Sequence, residues 1–152
     1  MRNTVVAGLL LLAMCAFSAE AEGQKPLRDD DRAYSNAIED RRYVAARCAA
    51  LYSEIAQTIV GDQGGVAAAK LSEAGEFLKR VPEPAEDVLF KWSSEYRKRL
   101  PEQTTPGVSL WQADYEACGA TLRLIRNGDN ITKYTRRELR YLMGGDAKGP
   151  LK

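Results

Sequence analysis

Two cysteines, Cys48 and Cys118, each stand at the centre of an apolar stripe with helical spacing, and that coincidence restricts the fold more than any other feature of the chain. Around the first, apolar residues recur at Tyr34, Ala37, Ile38, Val44, Ala45, Cys48, Leu51, Tyr52, Ile55 and Ile59, spacings that put them on one helix face. Around the second, Trp111, Tyr115, Cys118, Leu122 and Ile125 follow in steps of three and four. In an exported chain two such cysteines read as one disulfide, the alternative being two buried free thiols. A bridge closing a loop of this length stabilises a fold by roughly 4 kcal/mol in the chain-entropy model, a large share of a typical total of about 5–15 kcal/mol.

Export is read from the N-terminus. Arg2 gives a positive start, Val5 to Phe17 is an apolar run, and small residues follow, the layout of a secretory signal peptide. The run is shorter than the roughly 20 apolar residues that span a bilayer, so no transmembrane segment is expected. Cleavage after Ser18 or after Ala21 fits the small-x-small rule; the second is preferred and divides the chain into a signal peptide (1–21), a flexible leader (22–28), a helical domain (29–144) and a frayed tail (145–152). Leu12-Ala-Met-Cys15 loosely resembles the lipid-attachment box of bacterial lipoproteins, but Met14 is larger than the residue that box requires, so anchoring at Cys15 is not expected. The expected location is the periplasm or the exterior.

Turn and cap signals divide the remainder. A first helix is expected to start within Asp29–Asp31, with a kink near Glu39-Asp40, and to stop at Gly61 to Gly65. A second runs from about Val66 to Arg80 and ends at Pro82-Glu-Pro84; a third covers Ala85 to Arg99. Ser109-Leu-Trp-Gln112 is a capping box opening the fourth helix, which Asn127-Gly128 stops. A second capping box, Thr135 to Glu138, opens a short fifth helix that closes at Gly144-Gly145. No segment alternates with period two, so the expected fold is all-α: four main helices in an up-and-down, bundle-like arrangement plus a short C-terminal helix, with the disulfide joining the first and fourth.

The chemistry is bounded by what is missing. The chain has 0 histidines, which removes the commonest general base and metal ligand. Its net charge of +1 argues against general nucleic-acid binding. The segment from Asn127 to Glu138 has the length of a calcium loop, yet Ile131 replaces a ligand and Thr132 stands where glycine is needed, so no metal and no cofactor is expected. Asn130-Ile-Thr132 is a glycosylation acceptor only in a eukaryotic source, and the alanine-rich helices and small-residue cleavage region point instead to a bacterial one. Serines lack a nucleophile elbow, so no catalytic residue is assigned. Glu54, Glu73, Glu76, Asp114 and Glu116 remain as carboxylates that could do glycoside chemistry.

Several positions stand out against this background. Arg41 and Asp114 fall near apolar stripes, where a charge must be paired or reach water; they read as a polar pocket or anion contact, or more plainly as a snorkelling arginine and a carboxylate bound to a core tyrosine such as Tyr52. Tyr43 and Phe90 fall opposite their stripes; with Arg42 and Arg47 beside Tyr43, they form a candidate interaction surface, against burial under a loop or the leader. The basic set Arg123, Arg126, Lys133, Arg136, Arg137 and Arg140 offers a weak anionic contact, centred on Arg136, Arg137 and Arg140, or simply a solvated face. The expected function is non-catalytic binding of another exported protein. An immunity or inhibitor role is the sharper form of that reading, and a carboxylate-dependent hydrolase acting on cell-wall glycan is the enzymatic alternative.

Overall fold

The computed structural model describes residues 24–59, 65–81, 83, 85–101, 109–129 and 133–144. The expected signal peptide, Cys15, the start of the leader, the Gly61–Gly64 stop, Pro82 and Pro84, Asn130 to Thr132, Gly145 and the tail lie outside them. Among the described residues all regular structure is helical: α1 (Ile38–Thr58), α2 (Val66–Leu78), α3 (Glu86–Arg99), α4 (Leu110–Arg126) and α5 (Arg136–Leu142), preceded by two 3-10 turns at Leu27–Asp29 and Asp31–Tyr34. No helix among them is long and apolar enough to cross a membrane.

α1 is the central element. It packs extensively against α2 and α3 and also meets α4. Residues 44–52 are buried without interruption, so this part of α1 has no solvent face. The sequence suggested one stripe; the structure buries the whole circumference, which is what a helix enclosed by neighbours does. Ala45, Ala46, Ala49 and Ala50 make this possible, because their small side chains let three helices approach one backbone closely. Phe77 from α2, Trp92 and Tyr96 from α3, and Ala117, Cys118 and Leu122 from α4 complete the core around it.

The expected caps are present where they depend on local chemistry. Ser109 accepts from the Gln112 amide at 3.4 Å, and Gln112 reaches back to the Ser109 amide at 3.3 Å. Thr135 and Glu138 do the same for α5. α4 closes in a Schellman motif: the Gly128 amide donates to Ile125 O at 3.1 Å and the Asp129 amide to Leu124 O at 2.9 Å, with Gly128 at φ 68°. Gly144 stands at φ 78°, a left-handed conformation that favours glycine.

The N-terminal part departs from expectation. No long helix starts at Asp29–Asp31. The Asp30 carboxylate accepts from the Arg32 amide at 3.1 Å, an Asx-type turn that caps the start of the second 3-10 turn. Ser35 is extended (φ −100°, ψ 147°), so α1 begins only at Ile38. Nor is the leader loose within its described part: Leu27 is fully buried, and Tyr34 donates its hydroxyl to the Arg28 carbonyl.

Cys48 of α1 and Cys118 of α4 form the disulfide, with Cα atoms 5.5 Å apart and 70 residues between them in sequence. Thiol labelling of the denatured, unreduced chain lacking residues 1–21 should therefore find no free cysteine. Replacing both residues by alanine should lower the unfolding free energy by about 4 kcal/mol in denaturant titration. Two labelled thiols, or an unchanged midpoint, would contradict the assignment.

Candidate functional site

The least ordinary chemistry lies in the core. Arg47 (1% exposed) and Asp114 (0% exposed) are buried opposite each other on α1 and α4. Arg47 donates to Asp114 Oδ2 from Nε at 3.0 Å and from Nη2 at 2.6 Å. The Nε–H is shared with the Tyr96 hydroxyl at 3.2 Å, while Nη1 reaches the Tyr43 hydroxyl at 3.0 Å and Nη2 also donates to the Lys25 carbonyl at 2.7 Å. Its guanidinium lies 3.7 Å from the centre of the Trp92 ring. Asp114 also accepts from the Tyr96 hydroxyl and, at 2.6 Å, from the Leu27 amide. A buried charge must be paired and hydrogen-bonded, and here both partners are.

The ionisation of the group follows from these contacts. Burial alone would lower the Arg47 pKa, but the fields of Tyr96 and Asp114 override it and raise it. Burial, and then the Asp114 charge, push the Tyr96 phenol well above its ordinary range, so it remains a donor. No group of three or more His, Cys, Asp or Glu among the described residues is arranged to hold a metal. The arrangement is one of mutual satisfaction, with no exposed reactive atom.

This corrects two of the expectations about interaction residues. Arg47 is not a surface residue: it is the one polar side chain in the run from Val44 to Tyr52, and that run is enclosed on all sides. Tyr43 is not an open aromatic either. It is half-buried, bonded to Arg47 and covered by the Arg32 guanidinium 3.5 Å from its ring centre. Asp114 does bind a core tyrosine, but the tyrosine is Tyr96 rather than Tyr52. Arg42 approaches Glu83 at 3.7 Å.

The basic set is dispersed among separate partners. Arg126 pairs with Glu76 at 2.8 Å, Lys133 with Asp129 at 3.8 Å, and Arg136 with Asp31. Arg140 is half-buried next to Tyr34, and Arg137 is exposed. Several candidate carboxylates are likewise held: Glu54 by Arg97 at 2.8 Å, Glu73 by Lys70 at 2.8 Å, Glu76 by Arg126, and Asp114 by Arg47.

Two features face solvent. Phe90 on α3 is 80% exposed, against 54% for Leu71, the next most exposed large hydrophobic among the described residues. Arg97 lies two turns further along the same α3 face, and Glu54 holds its guanidinium through two bonds of 3.0 and 2.8 Å. The second feature is a cleft of about 340 Å³ at the end of the bundle where α1 begins and α2 and α4 finish. Val44, Phe77, Val81, Ile125 and Met143 contribute its apolar surface, and Arg32, Arg41, Arg80 and Asp129 its charges. Arg41 was expected near the core stripe; being about 10 Å along the helix from Cys48, it has passed the end of the core and is exposed.

Neither the family models nor the curated proteins nor the solved structures include a match to this chain.

Removing Asp114 as alanine takes the nearest counter-charge from buried Arg47, which then has Asp30 at 3.7 Å, and should cost about 3–5 kcal/mol. Replacing Arg47 and Asp114 together by methionine and leucine should cost less than that single change. Equilibrium unfolding of the wild type and the two variants checks the order; a double variant less stable than Asp114→Ala would contradict it.

A pH dependence follows from the core tyrosines. Burial, and then Glu73, push the Tyr52 phenol from its ordinary 10.0 up to about 12. A folded value above the unfolded one stabilises fully below the unfolded pKa and is lost as pH rises through the folded pKa. Unfolding free energy should thus fall between about pH 10 and 12, and fall less steeply in Tyr52→Phe. A flat profile in the wild-type protein would exclude this.

Proposed function

We propose that this chain is an exported, periplasmic or secreted protein that acts without catalysis by binding another exported protein through the outer face of α3. The observation that carries the reading is Phe90, a large aromatic side chain left 80% exposed on a helix whose opposite face is anchored in the core by Trp92 and Tyr96. Aromatic residues and arginines dominate the energetics of interfaces, and rigid ones sacrifice little entropy on binding. Phe90 meets the first condition, and Arg97, held by Glu54, adds a positioned cation on the same face. Asp87 and Ser94 lie one turn from Phe90 and supply the polar surround that interfaces use.

The disulfide supports the export part of the proposal, because such bridges persist in oxidising compartments. The signal-like N-terminus supports it from the sequence. Against the hydrolase alternative, the cleft is lined among the described residues by a single carboxylate, Asp129, whereas glycoside hydrolysis works with two that flank the bond.

The test is capture of a stoichiometric partner by the oxidised chain from exported proteins of its own source, run in parallel with Phe90→Ala. The exposed site predicts unchanged helicity and melting for the variant and a loss of at least about 2 kcal/mol in partner affinity. Equal capture by both proteins would remove α3 from the proposal. Absence of any partner, together with glycan-cleaving activity, would replace the proposal by the hydrolase.

A further inference from the structure

Beyond the α3 face, the cleft at the end of the bundle has a composition of its own. Its floor is apolar, formed by Val44 of α1, Phe77 of α2, Val81 just after it, Ile125 of α4 and Met143. Its charges come from four different places in the fold, and their partners decide which of them are available to a ligand.

Arg32 is occupied: its guanidinium pairs with Asp30 at 2.7 Å and lies over the Tyr43 ring. Asp129, the one carboxylate in the lining among the described residues, is already met by Lys133 at 3.8 Å and by the Tyr134 hydroxyl at 3.2 Å. Thr121 turns its hydroxyl to the Ala117 carbonyl at 3.0 Å. Arg41 differs from these. It is exposed, it lines the cleft, and its guanidinium makes no hydrogen bond or ion pair with a described residue, its backbone amide alone donating to the Ala37 carbonyl. Arg80 also lines the cleft and lies within the longer-range field of Glu76.

Helix ends do not cancel this excess. α2 and α4 end at the cleft and α1 begins there, so their terminal partial charges sum to about half a negative charge. Two guanidiniums outweigh that. A guanidinium presents a planar fork that matches a carboxylate, and low surrounding polarity strengthens the bond. The cleft volume lies at the lower end of the range of roughly 300–1,000 Å³ typical of small-ligand sites, which limits the occupant to a compact body.

We infer that this cleft binds a small carboxylic acid with a compact apolar body, the carboxylate held by Arg41 and Arg80 and the body lying on Phe77, Val81 and Ile125. The site is independent of the α3 face, so either can fail without the other.

Calorimetric titration of the oxidised protein with hydrocinnamate, its primary amide and inorganic phosphate tests this. Hydrocinnamate should bind at least about tenfold more tightly than the amide, which keeps the body and lacks the charge, and than phosphate, which keeps the charge and lacks the body. Arg41→Gln, an exposed position that leaves the core intact, should weaken the acid about tenfold or more and leave the amide unchanged. Ile125→Trp, which fills the floor, should abolish binding, while Phe90→Ala should leave it as in the wild type. Equal binding of acid and amide, equal binding of phosphate, indifference to Arg41→Gln, or no binding of the acid at millimolar concentration would each overturn the inference.

Discussion

The pair formed by Arg47 and Asp114 is the constraint from which most of this structure follows. Desolvating two charges costs several kcal/mol per ion, and their attraction offsets it only if the other polar atoms are also satisfied. Meeting that demand dictates where four separate segments lie. Tyr96 and Trp92 must stand on the side of α3 that faces α1, and Asp114 on the side of α4 that does. The N-terminal segment must cross close enough for Lys25 to offer its carbonyl and Leu27 its amide. A buried pair of this kind is not an efficient source of stability, since apolar residues fill space at lower cost. Its physical effect is to make alternative packings expensive, because any shift of one segment strands a charge.

The disulfide works on the same two helices, one step away. Arg47 and Cys48 are neighbours on α1, while Asp114 and Cys118 are one turn apart on α4. The covalent link restricts the unfolded chain, and the ion pair selects among folded arrangements. The two therefore act on different states. This combination suits a domain whose central helix is built from alanine, which buries little apolar area per residue and so leaves more of the stability to cross-links and to the aromatic side chains around it.

Features governed by neighbouring residues were legible in the sequence. The capping boxes at Ser109 and Thr135 and the stop at Gly128 depend on local chemistry, and the pairing of Cys48 with Cys118 on two cysteines centred on helical stripes. What sequence reading missed depends on contacts far along the chain. Arg47 was placed at the surface beside Tyr43, because spacing on one helix does not reveal how many neighbours surround it. A signal did exist: it is the single polar residue in a run of nine, four of them alanine, and a helix that apolar on every side is enclosed. Residues 24–28 read as a leader because they lack periodicity, and 29–37 as a helix start because Tyr34 and Ala37 extend the stripe of α1 and three aspartates suit a helix N-terminus. Their position is set by hydrogen bonds to partners 22 and 87 residues away, which no local pattern encodes. The cleft was missed for the same reason, since its walls come from helix ends that meet only in three dimensions.

The buried node also bears on how binding would work. α1 carries both Arg47, locked by partners from several directions, and Arg41, which faces the cleft about 9 Å further along the helix axis. α3 carries both Tyr96, locked in the node, and Phe90 on its outer side. Each exposed candidate is thus mounted on a helix whose inner side cannot move without breaking a charge-assisted bond. Ordering surface elements on association costs affinity, and elements already immobile avoid that cost. A loop-mounted aromatic or arginine of equal exposure would have to be fixed by its partner. The same interaction that specifies the core therefore gives both surfaces the rigidity that selective, non-covalent recognition requires.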